Sequence, residues 1–115
     1  MKGETVMLID FNLVPGFAIP NLNNGEGEVY SKMYFSESGK IMHSVLEPGC
    51  SIGTHQQKSG GDINYVVSGT GIATCDGVEE ALRPGVVHYC PKGSSHSIAN
   101  NGTQPLVLFT VTVEG

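Results

Sequence analysis

Gly53-Thr54-His55-Gln56-Gln57-Lys58-Ser59-Gly60-Gly61-Asp62 is the stretch of this chain from which a fold and a site can be built outward. His55 and Gln57 are two residues apart, so in an extended strand their side chains share a face. The glycine-containing turn after Lys58 sends the chain back to Asp62, and a strand returning beside the first can set that carboxylate next to them. His96, after the corner Pro91-Lys92-Gly93-Ser94-Ser95, could supply a fourth donor from a more distant strand. Imidazole nitrogen, amide oxygen and carboxylate oxygen together suit a borderline or fairly hard divalent ion such as Fe, Mn, Ni, Co or Zn. Taken singly, each residue also has a plainer explanation: Asp62 as a turn residue, Gln57 as a solvated strand side chain, either histidine as a hydrogen-bonded structural group.

The surroundings of this stretch read as all-β. Sixteen glycines and six prolines interrupt the 115-residue chain so often that no segment free of both exceeds eleven residues. Long helices have no room. Short runs rich in Val, Ile, Tyr, Phe and Thr lie between the breakers, at residues 5–9, 29–35, 41–46, 63–67, 72–75, 86–90 and 106–113, and these read as strands. Glu47-Pro48-Gly49, Asp76-Gly77, Arg83-Pro84-Gly85 and Pro91-Lys92-Gly93 have the chemistry of corners, and Asn101-Gly102 reads as a hairpin turn. Residues 1–27 read as an N-terminal strand followed by an irregular arm from Val14 to Gly27, and the whole of 1–115 as one domain.

Composition narrows the function classes. Six Lys and Arg against eleven Asp and Glu give a net charge of -5, and Arg83 is the only arginine. Nucleic acid is not expected as a partner, since its recognition rests on a basic footprint. No apolar run approaches the ~20 residues of a membrane span, and residues 1–12 lack a signal-peptide core, so a soluble cytoplasmic protein is expected. Cys50, Cys75 and Cys90 form no C-x-x-C pair and read as reduced, small buried hydrophobes.

Residues 49–69 resemble the first cupin motif, G-x5-H-x-H-x4-E-x6-G, with Gly49, His55 and Gly69 in place. Gln57 stands where that motif has its second histidine and Asp62 where it has glutamate. The second motif, G-x5-P-x-G-x2-H-x3-N, is met at every defining position of residues 85–100 by Gly85, Pro91, Gly93, His96 and Asn100. The resemblance implies a double-stranded β-helix, the jelly-roll barrel of two antiparallel sheets, with a divalent metal in its mouth held by His55, Gln57, Asp62 and His96. It also implies a homodimer. Replacing histidine by glutamine gives up a strong nitrogen donor, and aspartate reaches one methylene less far than glutamate, so the site should be weakened or retuned.

If Asp62 points inward, alternation also brings Asn64 and Val66 inward, and His96 brings Ile98. Asn64 is then a candidate for touching a substrate, or for satisfying a nearby backbone group. His88, just before Pro91, is a candidate proton-transfer group at the mouth, or a structural histidine. Asn100 is expected to hold a turn rather than touch an ion. Two functions follow: a metal-dependent enzyme acting on a small polar or aromatic metabolite, of the dioxygenase, isomerase, decarboxylase or lyase type, or a non-catalytic barrel that binds or senses a small molecule with a weakened or absent metal site.

Overall fold

The computed structural model describes residues 8–114. Ten strands make up nearly all of its regular structure: β1 (Phe17–Pro20), β2 (Glu28–Ser36), β3 (Gly39–Leu46), β4 (Ser51–Gln56), β5 (Asp62–Ser68), β6 (Gly71–Cys75), β7 (Val78–Leu82), β8 (Val87–Cys90), β9 (Ser95–Ala99) and β10 (Leu106–Val113). The strand runs read from residue 29 onward coincide with six of these to within a residue or two. Among the described residues, no helix is long and apolar enough to cross a membrane.

The strands form two sheets, β1-β2-β3-β10-β5-β8 and β4-β9-β6-β7, antiparallel throughout. This is the expected all-β jelly roll. The strand expected at 5–9 lies largely outside the described residues, and Leu8–Asp10 has no regular structure. The arm is less irregular than its Pro and Asn content implies, because Phe17–Pro20 adds to the sheet edge with Ile19 opposite Val29. Asn101-Gly102 is not a hairpin turn: β9 and β10 belong to different sheets, so the connection crosses between them. There the buried Asn100 amide donates to the carbonyls of Leu46 and Gln104, both at 2.8 Å, and its oxygen accepts from the Gly102 N–H at 2.9 Å. That is the turn-holding role expected of Asn100.

The inward faces grade from apolar to polar along the strands. Along β10 the buried positions are Leu106, Leu108, Thr110 and Thr112, and along β5 they run in the opposite sense as Val66, Asn64 and Asp62. Antiparallel register sets Leu108 against Val66, Thr110 against Asn64 and Thr112 against Asp62. Val29, Leu46, Ile52, Val66, Ala73, Leu82, Ile98, Leu106 and Leu108 therefore close one part of the barrel as its core, while the polar members gather where the sheets open. The burial of Asn64 and Val66 with Asp62, and of Ile98 with His96, follows the expected alternation.

All four motif glycines lie at positive φ: Gly49 at 87°, Gly69 at 82°, Gly85 at 92° and Gly93 at 94°. Such angles cost little only without a Cβ. Gly69 has a second constraint, because a Cβ there would run into the carbonyl oxygen of Pro105.

Candidate metal centre

A cavity of about 560 Å³ opens between the two sheets, and His55, Gln57, Asp62, Asn64 and His96 all contribute to its wall. β4 supplies His55 through a break in pairing. Ile52 lies opposite Ile98, yet His55 lies opposite His96, so three steps along β4 match two along β9. An extra residue of this kind reverses the parity of a strand and re-aims its side chains. Gly53 sits within the bulge, where a Cβ would strike the backbone of Asn23 and Gly25.

The result is a tilted pair of imidazoles, 60° between their planes, whose His55 Nε2 and His96 Nε2 are 3.1 Å apart. Asp62 Oδ2 stands 3.4 Å from the same His96 nitrogen. Two donors bound to one ion at ~2.1 Å and separated by 90–109° lie about 3.0–3.4 Å from each other, so both spacings are those of neighbouring ligands on one cation. Among the described residues no group of three or more His, Cys, Asp or Glu side chains is arranged so that it could hold a metal ion by itself. The donors meet pairwise through His96, and an amide oxygen completes the set only if Gln57 contributes. The Gln57 amide nitrogen donates to the Gly60 carbonyl at 3.3 Å, so that contact does not use its oxygen.

Asp62 is held through both oxygens. Thr112 donates its hydroxyl hydrogen to Oδ1 at 2.7 Å and the Asn64 amide donates to Oδ2 at 3.1 Å. Asn64 is oriented in turn by the Thr110 hydroxyl, which donates to its oxygen at 2.7 Å, and its amide also reaches the His88 carbonyl at 3.3 Å. Such fixed partners would keep the carboxylate in place if it held an ion.

His88 is not part of the cavity wall, so of its two readings the structure departs from the one that puts it at the mouth. It is buried behind His96, with Nε2 2.9 Å from His96 Nδ1 and Nδ1 2.8 Å from Glu80 Oε1. The pairing of β8 with β5 places His88 beside Asn64, and the interior between the sheets admits it because its two neighbours absorb both ring nitrogens. Burial pushes the His96 imidazole down to about 4; Asp62 opposes that shift, and His55 and His88 reinforce it. His96 is thus a neutral nitrogen donor at physiological pH. The buried Cys90 thiol, 3.8 Å from that of Cys75, is pushed up to about 12 by burial first and by Cys75 second, which makes it an unreactive apolar neighbour.

Three contributors escaped the sequence reading. Thr110 and Thr112 carry no motif, and only the register of β10, unreadable from one chain, turns them inward. Glu80 lies in Val78-Glu79-Glu80-Ala81-Leu82, a segment outside the strand runs read from sequence that forms the exposed edge strand β7.

Residues 42–112 match the family model of the cupin domain. Over 98% of its length the chain is 30% identical to an oxalate-binding protein of Thermotoga maritima, of which it covers 98%. The crystal structure of a predicted oxalate decarboxylase from the same organism superposes with a TM-score of 0.89 at 26% identity, covering 95% of this chain and 100% of that one. The Cnp3 cupin domain of Schizosaccharomyces pombe, at 17% identity, shares the fold with a TM-score of 0.73 over 80% of this chain and 69% of that one.

Proposed function

The chain belongs to the cupin domain family, and on that premise we propose that it binds one divalent transition metal, and on it a small oxygen-chelating metabolite of the dicarboxylate type. The observation that carries this reading is the pair of contacts made by His96 Nε2 at the cavity wall, 3.1 Å to His55 Nε2 and 3.4 Å to Asp62 Oδ2, each at ligand-to-ligand spacing. His55, His96, Asp62 and the Gln57 oxygen would hold the ion. When bound, such an ion supplies Lewis acidity and open coordination positions for two oxygens of one ligand. Asn64 and Thr112 keep Asp62 aimed, Thr110 orients Asn64, and Asn64 serves the site through Asp62 and the His88 carbonyl.

The name of the Thermotoga oxalate-binding relative supports a small dicarboxylate as ligand. Binding is favoured over acid–base catalysis because the titratable groups on the cavity wall other than Asp62, His55 and His96 are Lys40, Lys58 and Glu114, which are partly or fully exposed. Catalysis on the metal is the second reading. The likeness to a predicted oxalate decarboxylase supports it, as does a ligand set that leaves coordination positions open. Calorimetric titration of oxalate into metal-loaded and metal-free protein tests the first reading: heat is expected only with metal, and equal heats or none in both would overturn it. Carbon dioxide release from oxalate by the loaded protein would establish the second.

The same reading includes a cytoplasmic homodimer that contacts neither nucleic acid nor membrane. Tyr65, Val67, Val87 and Tyr89 support the dimer, because they form an exposed apolar patch across the adjoining strands β5 and β8 on the outer face of the larger sheet. The net charge of -5 argues against nucleic acid, and three free cysteines fit a reducing compartment. Light scattering behind size exclusion is expected to give twice the chain mass; the mass of one chain would overturn the dimer.

A further inference from the structure

Glu80 begins a chain of contacts that ends in the cavity. Its carboxylate, half exposed on β7, accepts a hydrogen bond from His88 Nδ1 at 2.8 Å. A carboxylate has no hydrogen to give at neutral pH, so the hydrogen in that contact belongs to His88 Nδ1. With a single N–H on the ring, His88 Nε2 is then a bare acceptor. Its partner at 2.9 Å is His96 Nδ1, which must therefore carry the hydrogen of that contact. His96 Nε2 is left bare by the same count.

His55 reaches the same state from the other side. Its Nδ1 is 2.9 Å from the Gly53 carbonyl oxygen, a pure acceptor, so the hydrogen sits on Nδ1 and Nε2 is bare. Two unprotonated nitrogens thus face each other at 3.1 Å, with a carboxylate oxygen 3.4 Å from one of them. No arrangement of one hydrogen per ring satisfies all four contacts.

We infer that Glu80 and His88 are positioning residues that fix His96 as the Nδ1–H tautomer and so present its bare Nε2 to the bare Nε2 of His55. The role of this relay in holding an ion rests on the metal-site reading above, but the tautomers are a property of the metal-free chain. The relay crosses between the sheets twice, from β7 to β8 and back to β9, so it also ties the free edges β7 and β8 to the strand that carries His96. Outer partners of this kind hold the orientation of a ligating imidazole and typically alter metal affinity by ~10–100-fold.

The test is two-bond 1H–15N correlation spectroscopy on metal-free, histidine-labelled protein, with each ring assigned by its own substitution. His55, His88 and His96 are expected as Nδ1–H tautomers with Nε2 resonating as a bare nitrogen. In Glu80→Ala, His88 and His96 are expected to move toward mixed tautomers, and zinc affinity by calorimetry to fall ~10-fold; Glu80→Asp should restore both in part. Glu80 is half exposed, so these variants should fold, which thermal denaturation verifies. A wild-type His96 bearing its hydrogen on Nε2, or tautomers unchanged in Glu80→Ala, would overturn the inference. The expected tautomers in a protein that binds no zinc would uphold the relay and sink the metal reading instead.

Discussion

His55 and His96 stand opposite one another on adjacent antiparallel strands only because β4 carries one residue more than β9 between the Ile52–Ile98 pair and the histidine pair. Without the bulge, the residue facing His96 would be Thr54. Gly53 makes the bulge possible by tolerating the close backbone of Asn23 and Gly25. Gly53→Ala is therefore expected to destabilise the fold by about 1–3 kcal/mol, the range for overpacking. It should also weaken metal binding, because the Gly53 carbonyl that orients His55 would move with the bulge. Urea denaturation and zinc calorimetry of the variant check both effects; an unchanged midpoint with unchanged affinity would contradict them.

Gln57 lines the cavity where the family motif has a histidine. Exchanging a neutral amide oxygen for an imidazole nitrogen gives a borderline ion a better donor. Gln57→His is expected to tighten binding of nickel or zinc by about tenfold or more. A side chain that faced solvent would show no gain, and competition against a chelator of known affinity separates the two.

Asn100 illustrates a different kind of motif residue. Its side chain closes the Gln104 carbonyl and the Gly102 N–H of the β9–β10 connection together with the carbonyl of Leu46, a fully buried core residue at the end of β3. Asn100→Ala leaves those groups without partners and is expected to cost about 2–4 kcal/mol, while the wild-type metal stoichiometry persists in the folded fraction. Loss of metal from a variant of wild-type stability would instead make Asn100 part of the site.

The acid behaviour of metal-free protein follows from His96. Its imidazole titrates at about 4 in the native protein, against the ordinary 6.5, chiefly because it is buried. Between those values the unfolded chain takes up a proton that the native one excludes. The contribution is therefore fully present above pH 6.5 and is lost as pH falls toward 4, with a slope of up to about 1 kcal/mol per pH unit. Urea midpoints measured from pH 7 to 4 should fall through this window in wild type and fall less in His96→Gln. Parallel profiles would contradict the assignment.

The fold was largely legible because its signals are local. Positive φ at Gly49, Gly77, Gly85 and Gly93 is a requirement of individual corners, and the β-branched runs between them alternate as half-buried strands do. The residues that share the cavity were legible, and their wiring was not. His55, Gln57, Asp62, Asn64 and His96 all reach one cavity, as spacing and motif implied, whereas His88 stands behind His96 because the packing of β8 against β9 is decided by sheet closure. Glu80 was invisible for the same reason: its partner lies eight residues away on the other sheet. Asn101-Gly102 misled because a dipeptide reports a turn's local preference and not whether the next strand rejoins the same sheet.

The central claim is that His55 and His96 hold one divalent ion. The most direct measurement is elemental analysis of untagged protein, purified without chelators and exchanged into metal-free buffer, alongside His55→Ala and His96→Ala. The account predicts close to one transition-metal ion per wild-type chain, and loss of that ion from both variants while their circular dichroism remains that of a folded β barrel. Metal absent from wild type even after incubation with manganese, iron, nickel, cobalt and zinc, or retained in both variants, would contradict it.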